Sequence, residues 1–287
     1  MTPISRVGVV GSGLMGSGIA EVCARAGVGV IVAEANAAAS EAGRVRIERS
    51  LSRGLRSGKL TERECEAALD RITYTVDLDD FADRELVLEA VAENEQVKTH
   101  VFAILDKVVE SRNAIFASNT SSIPIMRIAM ATQRPQQVVG IHFFNPVPVL
   151  KLVEIISSLL TDADTESRAE AFVAGVLGKT VIRASDRAGF IVNGLLIPYL
   201  LAAIRMLESH LASAADIDRG MVLGCAHPLG PLALADLIGL DTTKAIADSM
   251  YAEFKEPLYA PPPLLLRMVD AGLLGKKTGR GFHSYTT

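Results

Sequence analysis

The sequence predicts an α/β fold in which an N-terminal doubly wound sheet is followed by an all-helical C-terminal domain. Two observations predict it. Strand-like and helix-like segments alternate from residue 6 to about residue 185, which is typical of a mostly parallel sheet with helices on its faces. Beyond residue 185 the strand patterns stop and helical patterns take over. We therefore expect domains at residues 1–185 and 186–287.

Composition narrows the class of protein. At roughly 100–200 residues per domain, 287 residues suit two domains, and a hydrophobic fraction of 49% is ample for two cores. The net charge of −4 argues against nucleic acid or an anionic membrane as the main partner. The three cysteines are far apart and show no metal-ligand spacing, so we expect no metal and a reduced, cytoplasmic protein.

The first elements form a βαβ unit. Residues 6–10 are a β-branched strand, an alanine-rich helix follows to about Ala26, and a second strand over Val28–Ala33 ends at Glu34. From about residue 37 to 69 the chain is helical but polar. We expect Gly54 and Gly58 to break this arm into a helical hairpin.

Further elements follow the apolar periodicity of the chain. Strands are predicted at Ile72–Thr75, Leu86–Ala90, Ala114–Ser118, Val138–His142, Leu152–Ile156 and Thr180–Arg183, with helices near Gln96–Val109 and Glu166–Leu177. The C-terminal helices are predicted at Gly189–Ser209, Ala215–Leu223, Leu232–Ile238 and Thr242–Met250, and the prolines from residue 257 to 263 are interpreted as breaks near the end of the chain.

The turn after the first strand has the spacing of a dinucleotide-binding loop, Gly11-Ser12-Gly13-Leu14-Met15-Gly16. Its first glycine permits a sharp turn, its second lets the backbone approach a pyrophosphate, and its third lets the helix pack on the sheet. Glu34 is placed to bind ribose hydroxyls and would repel a 2′-phosphate. This pattern predicts a Rossmann-like domain that binds NAD; the alternative is a tight glycine turn without a ligand.

Three polar clusters interrupt otherwise apolar segments, at residues 118–122, 140–146 and 151–154. The first two follow predicted strands. Ligand sites of open α/β sheets lie outside the carboxyl ends of the strands, so Ser121 and His142 fall on the expected edge.

With these clusters and the glycine loop, the chain resembles the short-chain 3-hydroxyacyl-CoA dehydrogenases, above all their bacterial members. The resemblance extends over nearly the whole chain. The resemblance implies reversible, NAD-dependent oxidation of (S)-3-hydroxybutyryl-CoA or another short 3-hydroxyacyl-CoA to the 3-oxoacyl-CoA. The matching segments are Gly11–Gly18, Ala117–Ser122, His142–Pro148, Gly189–Asn193, His227–Pro231, Gly239–Thr242 and Gly275–Gly279.

The resemblance implies four catalytic residues. His142 would be the base that removes the hydroxyl proton, since imidazole titrates near neutral pH. Glu154 would orient it, and Ser121 and Asn193 would bind the substrate oxygen, as in an oxyanion hole. The alternatives are a core salt bridge of Glu154 with Lys151 or Arg183, and a helix N-cap at Ser121.

Four further positions match residues near the cofactor, alongside Ser121. They are Glu93, Lys98, Asn145 and Lys277. For Glu93 the alternative is capping of the following helix by Glu93-Asn94-Glu95.

The arm carries six positive charges between residues 44 and 59, which would suit the phosphates of CoA. The resemblance assigns CoA contacts to Ser50 and to position 57, where the usual lysine is replaced by Ser57. Arg53 and Lys59 are expected to contribute. The alternative is a solvated helix face paired with Glu41 and Glu48.

The resemblance also implies a homodimer formed through the C-terminal domain. Two competing functions stay open. One is a dehydrogenase of a hydroxy or sugar acid without CoA, which would not need the basic arm. The other is a non-enzymatic relative, comparable to certain lens crystallins, in which a catalytic position would be lost.

Overall fold

The computed structural model describes residues 4–285 and divides into two compact units, one ending at Arg187 and one beginning at Ala188. The first unit contains an eight-stranded sheet in the order β3-β2-β1-β4-β5-β6-β7-β8. Neighbouring strands are parallel, except that β6 and β7 are antiparallel. The strands are β1 Arg6–Val10, β2 Gly29–Ala33, β3 Ile72–Thr75, β4 Leu86–Glu89, β5 Ile115–Ser118, β6 Val138–Phe143, β7 Leu152–Ser157 and β8 Thr180–Ser185.

The helices of the first unit connect these strands. They are α1 Leu14–Arg25, α2 Ala37–Arg56, α3 Glu62–Leu69, α4 Glu95–Val108, α5 Ile125–Ala129 and α6 Ala163–Ala171, which continues as a π-helical turn to Val176. The main core lies where α1, α2 and α6 cover β1, β2 and β7. Strands β4, β5 and β6 are buried throughout, because a parallel sheet is covered on both faces.

The polar arm of residues 37–69 is a helical hairpin, but its break lies later than predicted. Helix α2 runs through Gly54 to Arg56, and the turn comes at Gly58, which has φ +68°. A Cβ at Gly54 would lie 2.7 Å from Cδ1 of Leu60. Gly54 therefore allows close packing within the hairpin, and only Gly58 supplies the left-handed turn.

The second unit is built from five helices in its described part. They are α7 Val192–Glu208, α8 Ala214–Gly224, α9 Pro231–Ile238, α10 Leu240–Phe254 and α11 Pro263–Asp270. Leu200, Leu201 and Leu232 are at the centre of its core. Helix α11 was not predicted, because Pro263 was interpreted as a break; it stands instead at the first helical position, where a missing N–H costs nothing.

The predicted fold class is confirmed: a doubly wound sheet is followed by a helical domain. Within residues 4–285, no helix combines the length and apolarity needed to cross a membrane.

Candidate active site

The glycine turn joins β1 to α1 and has the shape that a dinucleotide needs. At Gly11, where φ is +90°, a Cβ would lie 2.8 Å from the carbonyl oxygen of Ala90, and at Gly16 it would lie 1.8 Å from the oxygen of Gly11. Both positions therefore exclude a side chain. A Cβ at Gly13 would meet nothing within 4 Å, so the backbone borders open space there.

The N-terminus of α1 is suited to an anion. Its N-cap, Gly13, makes no side-chain capping bond, and the first turn of α1 carries no acidic residue. Helix N-termini of this kind attract phosphate through their N–H groups and the helix dipole. Beside it, Oε1 of Glu34 accepts hydrogen bonds from the N–H and the hydroxyl of Ser12. The open turn, the helix end and the carboxylate fit an NAD molecule.

Ser12 is buried within the glycine turn and stabilises it. Its carbonyl oxygen accepts hydrogen bonds of 2.6 Å from Ser17 Oγ and from Arg46 Nη1. Arg46 belongs to α2, so the arm helps to hold the glycine turn. Sequence reasoning missed this contact because a residue on a polar helix gives no signal of a partner 34 positions away.

The histidine and glutamate predicted to form a pair do so. His142 on β6 lies opposite Glu154 on β7 in the antiparallel ladder, and Nδ1 of His142 is 2.7 Å from Oε2 of Glu154. The two residues are 6% and 0% exposed. Of the alternative partners for Glu154, Arg183 pairs instead with Glu166 at 2.9 Å.

Glu93 holds the polar loop that follows β5. Its Oε1 accepts hydrogen bonds from the hydroxyl of Thr120 at 2.5 Å, from the N–H of Ser121 at 3.1 Å and from the hydroxyl of Ser122 at 2.8 Å. Burial raises the pKa of Glu93, but the charge of Lys98 and these hydrogen bonds outweigh burial and leave the pKa below its ordinary value.

The capping considered for Glu93-Asn94-Glu95 is made by Asn94. It is the N-cap of α4, and its side chain accepts a hydrogen bond from the N–H of Val97 at 3.1 Å. Glu93 faces the loop of Ser121 instead, which places it near the polar cluster at the end of β5.

Lys98 is almost fully buried, in a network that the sequence did not reveal. Its Nζ lies 2.6 Å from Oε1 of Glu89 and 3.2 Å from Oε2 of Glu93. Glu89 is 0% exposed and also accepts from the hydroxyl of Ser118 at 2.6 Å. The signal in the sequence was Glu89, an acidic residue at the last position of the apolar strand β4. Such a residue indicates a hidden partner, because a buried carboxylate needs one.

The N-cap role considered for Ser121 is wrong. Helix α5 begins at Ile125, and the N–H groups of Ile125 and Met126 donate to the two carboxylate oxygens of Asp186, each at 2.7 Å. Ser121 is half-buried, and its backbone is held by Glu93. Next to it, Asn119 accepts from the N–H of Phe143 at 2.9 Å and ties the end of β5 to the end of β6.

Two of the basic residues of the arm already have partners within the protein. Arg44 pairs with Glu41 and Glu48, as the solvated-face alternative expected, and Arg46 holds the glycine turn. Of the predicted CoA contacts, Ser50 is half-buried and the other three, Arg53, Ser57 and Lys59, are exposed. The hydroxyl of Ser57 donates to the carbonyl of Gly54 at 3.0 Å. Their roles towards CoA stay predictions.

Comparison with known proteins agrees with this geometry. Residues 6–187 match the family model described as the 3-hydroxyacyl-CoA dehydrogenase NAD binding domain, and residues 189–285 match the C-terminal domain of the same family. The chain belongs to the 3-hydroxyacyl-CoA dehydrogenase family. The predicted family, the NAD cofactor and the oxidoreductase class are confirmed.

Three relatives show how close the similarity is. The 3-hydroxybutyryl-CoA dehydrogenase of Mycobacterium tuberculosis is 61% identical over 98% of this chain and 99% of the relative. The crystal structure of FadB2 from M. tuberculosis has a TM-score of 0.98 at 60% identity, covering 99% of this chain and 100% of that one. The (S)-3-hydroxybutyryl-CoA dehydrogenase PaaH1 of Ralstonia eutropha has a TM-score of 0.94 at 44% identity, with coverage of 99% and 100%.

Asn145, Asn193 and Lys277 were also predicted as site residues from the resemblance to the 3-hydroxyacyl-CoA dehydrogenase family. Asn145 is exposed and lies two residues after the end of β6. Asn193 belongs to the second unit, where it is 8% exposed and lies in the first turn of α7. This helix begins at Val192, whereas a start at Gly189 was predicted. Lys277, also in the second unit, places Nζ 2.6 Å from both carboxylate oxygens of Asp241. Asp241 lies in the matching segment Gly239–Thr242, and its pairing with Lys277 was not predicted.

Proposed function

We propose that this protein catalyses the reversible oxidation of (S)-3-hydroxybutyryl-CoA, or another short 3-hydroxyacyl-CoA, to the 3-oxoacyl-CoA. The observation that carries the proposal is the buried contact of 2.7 Å between Nδ1 of His142 and Oε2 of Glu154. The names of the relatives from M. tuberculosis and R. eutropha, both 3-hydroxybutyryl-CoA dehydrogenases, support the choice of substrate.

His142 is the proposed base. A carboxylate that accepts a hydrogen bond from Nδ1–H selects the tautomer with the proton on Nδ1. Nε2 is then free of a proton and can receive that of the substrate hydroxyl. Glu154 then stabilises the imidazolium that forms, in the way that a buried carboxylate does in a catalytic triad. In the reverse direction the same imidazolium returns the proton to the carbonyl oxygen. The buried position of Glu154 strengthens this effect, because little water screens the two charges.

The side-chain hydroxyl of Ser121 is proposed to bind the substrate oxygen. Its N–H is fixed by Glu93, and Glu93 is fixed in turn by Thr120, Ser122 and Lys98, so the loop is held rigidly before substrate arrives. Preorganised donors of this kind stabilise an alkoxide without reorganising during the reaction. The contribution of Asn193 to the same task stays a prediction from the family.

The cofactor residues are proposed from the glycine turn and Glu34. NAD supplies the nicotinamide that exchanges a hydride with the substrate carbon. Gly13 and the N-terminus of α1 would hold its pyrophosphate, and Glu34 would accept from its adenosine ribose. Glu93, Lys98, Asn145 and Lys277 are proposed as further cofactor contacts; Glu93 and Lys98 would act mainly by holding the loop of Ser121.

The test is turnover of acetoacetyl-CoA by the full-length protein with NADH, followed by the loss of reduced-nicotinamide absorbance. NADPH in place of NADH measures the cofactor preference. A protein without activity at any pH would contradict the proposal. It would also revive the non-enzymatic alternative, although Ser121, His142, Glu154 and Asn193 are all present.

A second candidate function is a dehydrogenase of free hydroxy or sugar acids. Inhibition by free CoA distinguishes it from the proposed function. Free CoA should compete with the thioester substrate if the proposal is right, and should have no effect on an enzyme for free acids. The basic residues of the arm favour the CoA substrate.

We also propose a homodimer formed through the second unit, and a cytoplasmic location. Exposed apolar side chains of the helical unit, Leu195 at 75% and Leu223 at 76%, are available for such an interface. Three free cysteines and bacterial relatives support the location. Sedimentation equilibrium tests the first proposal, since a monomer at micromolar concentration would refute it.

A further inference from the structure

Helix α5 follows the loop that carries Ser121, and it needs help from elsewhere in the chain to form. The helix has only five residues, Ile125–Ala129, and its N-cap position is occupied by Pro124. Proline has no side-chain acceptor for the free N–H groups of the first helical turn. So short a helix is also marginal without outside contacts. The start of α5 therefore depends on an acceptor from a distant segment.

Asp186 supplies this acceptor from the end of β8, 61 residues after Ile125. Its Oδ1 accepts a hydrogen bond from the N–H of Ile125, and its Oδ2 accepts one from the N–H of Met126, each at 2.7 Å. Both carboxylate oxygens are thus used on two successive N–H groups. A negative charge at a helix N-terminus also interacts favourably with the helix dipole.

The loop between β5 and α5 is consequently anchored at two points. Glu93 accepts hydrogen bonds from the N–H of Ser121 and from the hydroxyls on either side of it. Asp186 fixes the first two residues of α5. Only three residues lie between Ser121 and Ile125, so a shift of the helix start would be passed on to Ser121.

Helix α5 also packs on the strand that carries His142. Ile125 is fully buried, and a Cβ at Gly140 on β6 would lie 3.0 Å from its Cδ1. Gly140 and His142 lie on the same face of β6, because alternate residues of a strand share a face. Asp186 therefore holds a helix that covers the His142 face of β6 and ends the loop of Ser121.

The carboxylate of Asp186 is kept in place against the effect of burial. Burial raises the pKa of Asp186 above its ordinary value of 3.8, although the two hydrogen bonds and the charge of Arg127 act in the opposite direction. A cap needed for stability alone does not require a half-buried charge, since serine, threonine and asparagine also cap helices. Carboxyl groups with pKa values shifted by burial cluster at functional sites.

We propose that Asp186 is a positioning residue of the active site, which fixes the loop of Ser121 by holding the start of α5. This inference rests on the proposed function and adds to it a residue that acts through Ser121. A hydroxyl that stabilises an alkoxide must be in place before the substrate arrives, because reorganisation during the reaction would cost rate. Asp186 supplies that order from the side of the loop that Glu93 does not reach.

Asp186→Ala removes both acceptor oxygens, and Asp162→Ala is its matched control. Asp162 is the N-cap of α6, where its side chain accepts from the N–H of Thr165 at 2.7 Å, and α6 carries no predicted site residue. We expect kcat for acetoacetyl-CoA with NADH to fall about tenfold or more in Asp186→Ala, with a smaller change in KM for acetoacetyl-CoA. In Asp162→Ala, kcat should stay at the parental level, although both variants lose a helix cap and should melt at a lower temperature.

Asp186→Asn is the conservative variant, because it keeps one of the two acceptor oxygens. Its kcat should lie between those of the parent and Asp186→Ala. A parental kcat in Asp186→Ala would overturn the inference and leave the proposed function intact. A fall in kcat of the same size in Asp162→Ala would also overturn it, because the effect would then follow from lost stability alone.

A double variant tests whether Asp186 acts through Ser121. Groups that act together have non-additive effects, so Asp186→Asn should lower kcat much less in a Ser121→Ala background than in the parent. Equal fold-changes in the two backgrounds would contradict the inference.

Hydrogen exchange of the backbone amides from Ser121 to Met126 tests the anchoring without turnover. Exchange should be faster in Asp186→Ala and in Asp186→Asn than in the parent, and unchanged in Asp162→Ala. Parental exchange rates in both Asp186 variants would overturn the inference whatever the activity of the protein.

Discussion

Oε2 of Glu154 and Nδ1 of His142 are 2.7 Å apart because the two residues stand directly opposite each other on antiparallel strands. Strands β6 and β7 make the one antiparallel pairing among the strands described in the sheet. This pairing places both side chains on the same face at neighbouring positions. The contact is therefore built into the backbone ladder and does not depend on a mobile loop.

Replacing His142 by alanine should remove the base and leave the cofactor site intact. We expect kcat for acetoacetyl-CoA reduction to fall about 10²- to 10⁴-fold, the usual contribution of a general acid or base. NADH affinity, measured by fluorescence titration, should stay at the parental level. A variant that turned over as fast as the parent would refute the assignment of His142.

Glu154→Gln preserves the size of the side chain but removes its charge. Because the amide can present either an oxygen or an NH₂ to Nδ1, the imidazole loses both its fixed tautomer and its counter-charge. We expect kcat to fall about 10²-fold or more, while the melting temperature changes less than in Glu154→Ala. If Glu154→Gln kept full kcat, Glu154 would have only a structural role.

The buried pair of Glu89 and Lys98 should matter for stability. Glu89→Gln leaves the Lys98 ammonium buried with Glu93 as its remaining partner, and we expect a loss of about 3 kcal/mol in the free energy of unfolding. Chemical denaturation measures it. As the control, Glu41→Gln removes an exposed pair with Arg44 and should change stability little. Equal effects of the two variants would contradict the inference.

Glu93 should make stability depend on pH. Its pKa in the folded protein lies below the ordinary value of 4.5, despite burial, because of Lys98 and the hydrogen bonds from Thr120 and Ser122. A lowered carboxyl pKa contributes stability above the unfolded value, and this contribution is lost as the pH falls through the folded value. The stability advantage of the parent over Glu93→Gln should therefore shrink below pH 4.5. Denaturation curves in which this advantage stayed constant with pH would argue against it.

Glu34 should set the choice between NAD and NADP. Glu34→Ala removes a charged acceptor for the ribose and its repulsion of a 2′-phosphate, so we expect affinity for NAD to fall about tenfold while affinity for NADP rises. The ratio of kcat/KM for NADH and NADPH measures the change. Because Ser12 also loses its hydrogen-bond acceptor, the melting temperature should be recorded alongside. An unchanged ratio would remove Glu34 from the cofactor site.

Much of the fold and of the site was predictable because its signals are local. The glycine turn, Glu34 and the alternation of strands and helices follow from residues close together in the sequence. His142 and Glu154 could be named from the resemblance, and their separation by a strand–turn–strand segment made a contact reasonable. Contacts between distant segments were not predictable in this way. The hydrogen bond from Arg46 to the carbonyl oxygen of Ser12 is an example.

The sequence by itself determined the fold class, the NAD-binding turn, the family and the identity of the proposed base and its carboxylate, because backbone preferences and short motifs carry that information. Only the tertiary structure decided which polar groups bond to each other. Glu93 accepts from the loop of Ser121, Lys98 donates to Glu89, and Asp186 accepts from the N-terminus of α5. The physical reason is that a buried charge takes whichever partner the packing of strands and helices brings within hydrogen-bond distance, and that partner can lie anywhere in the chain.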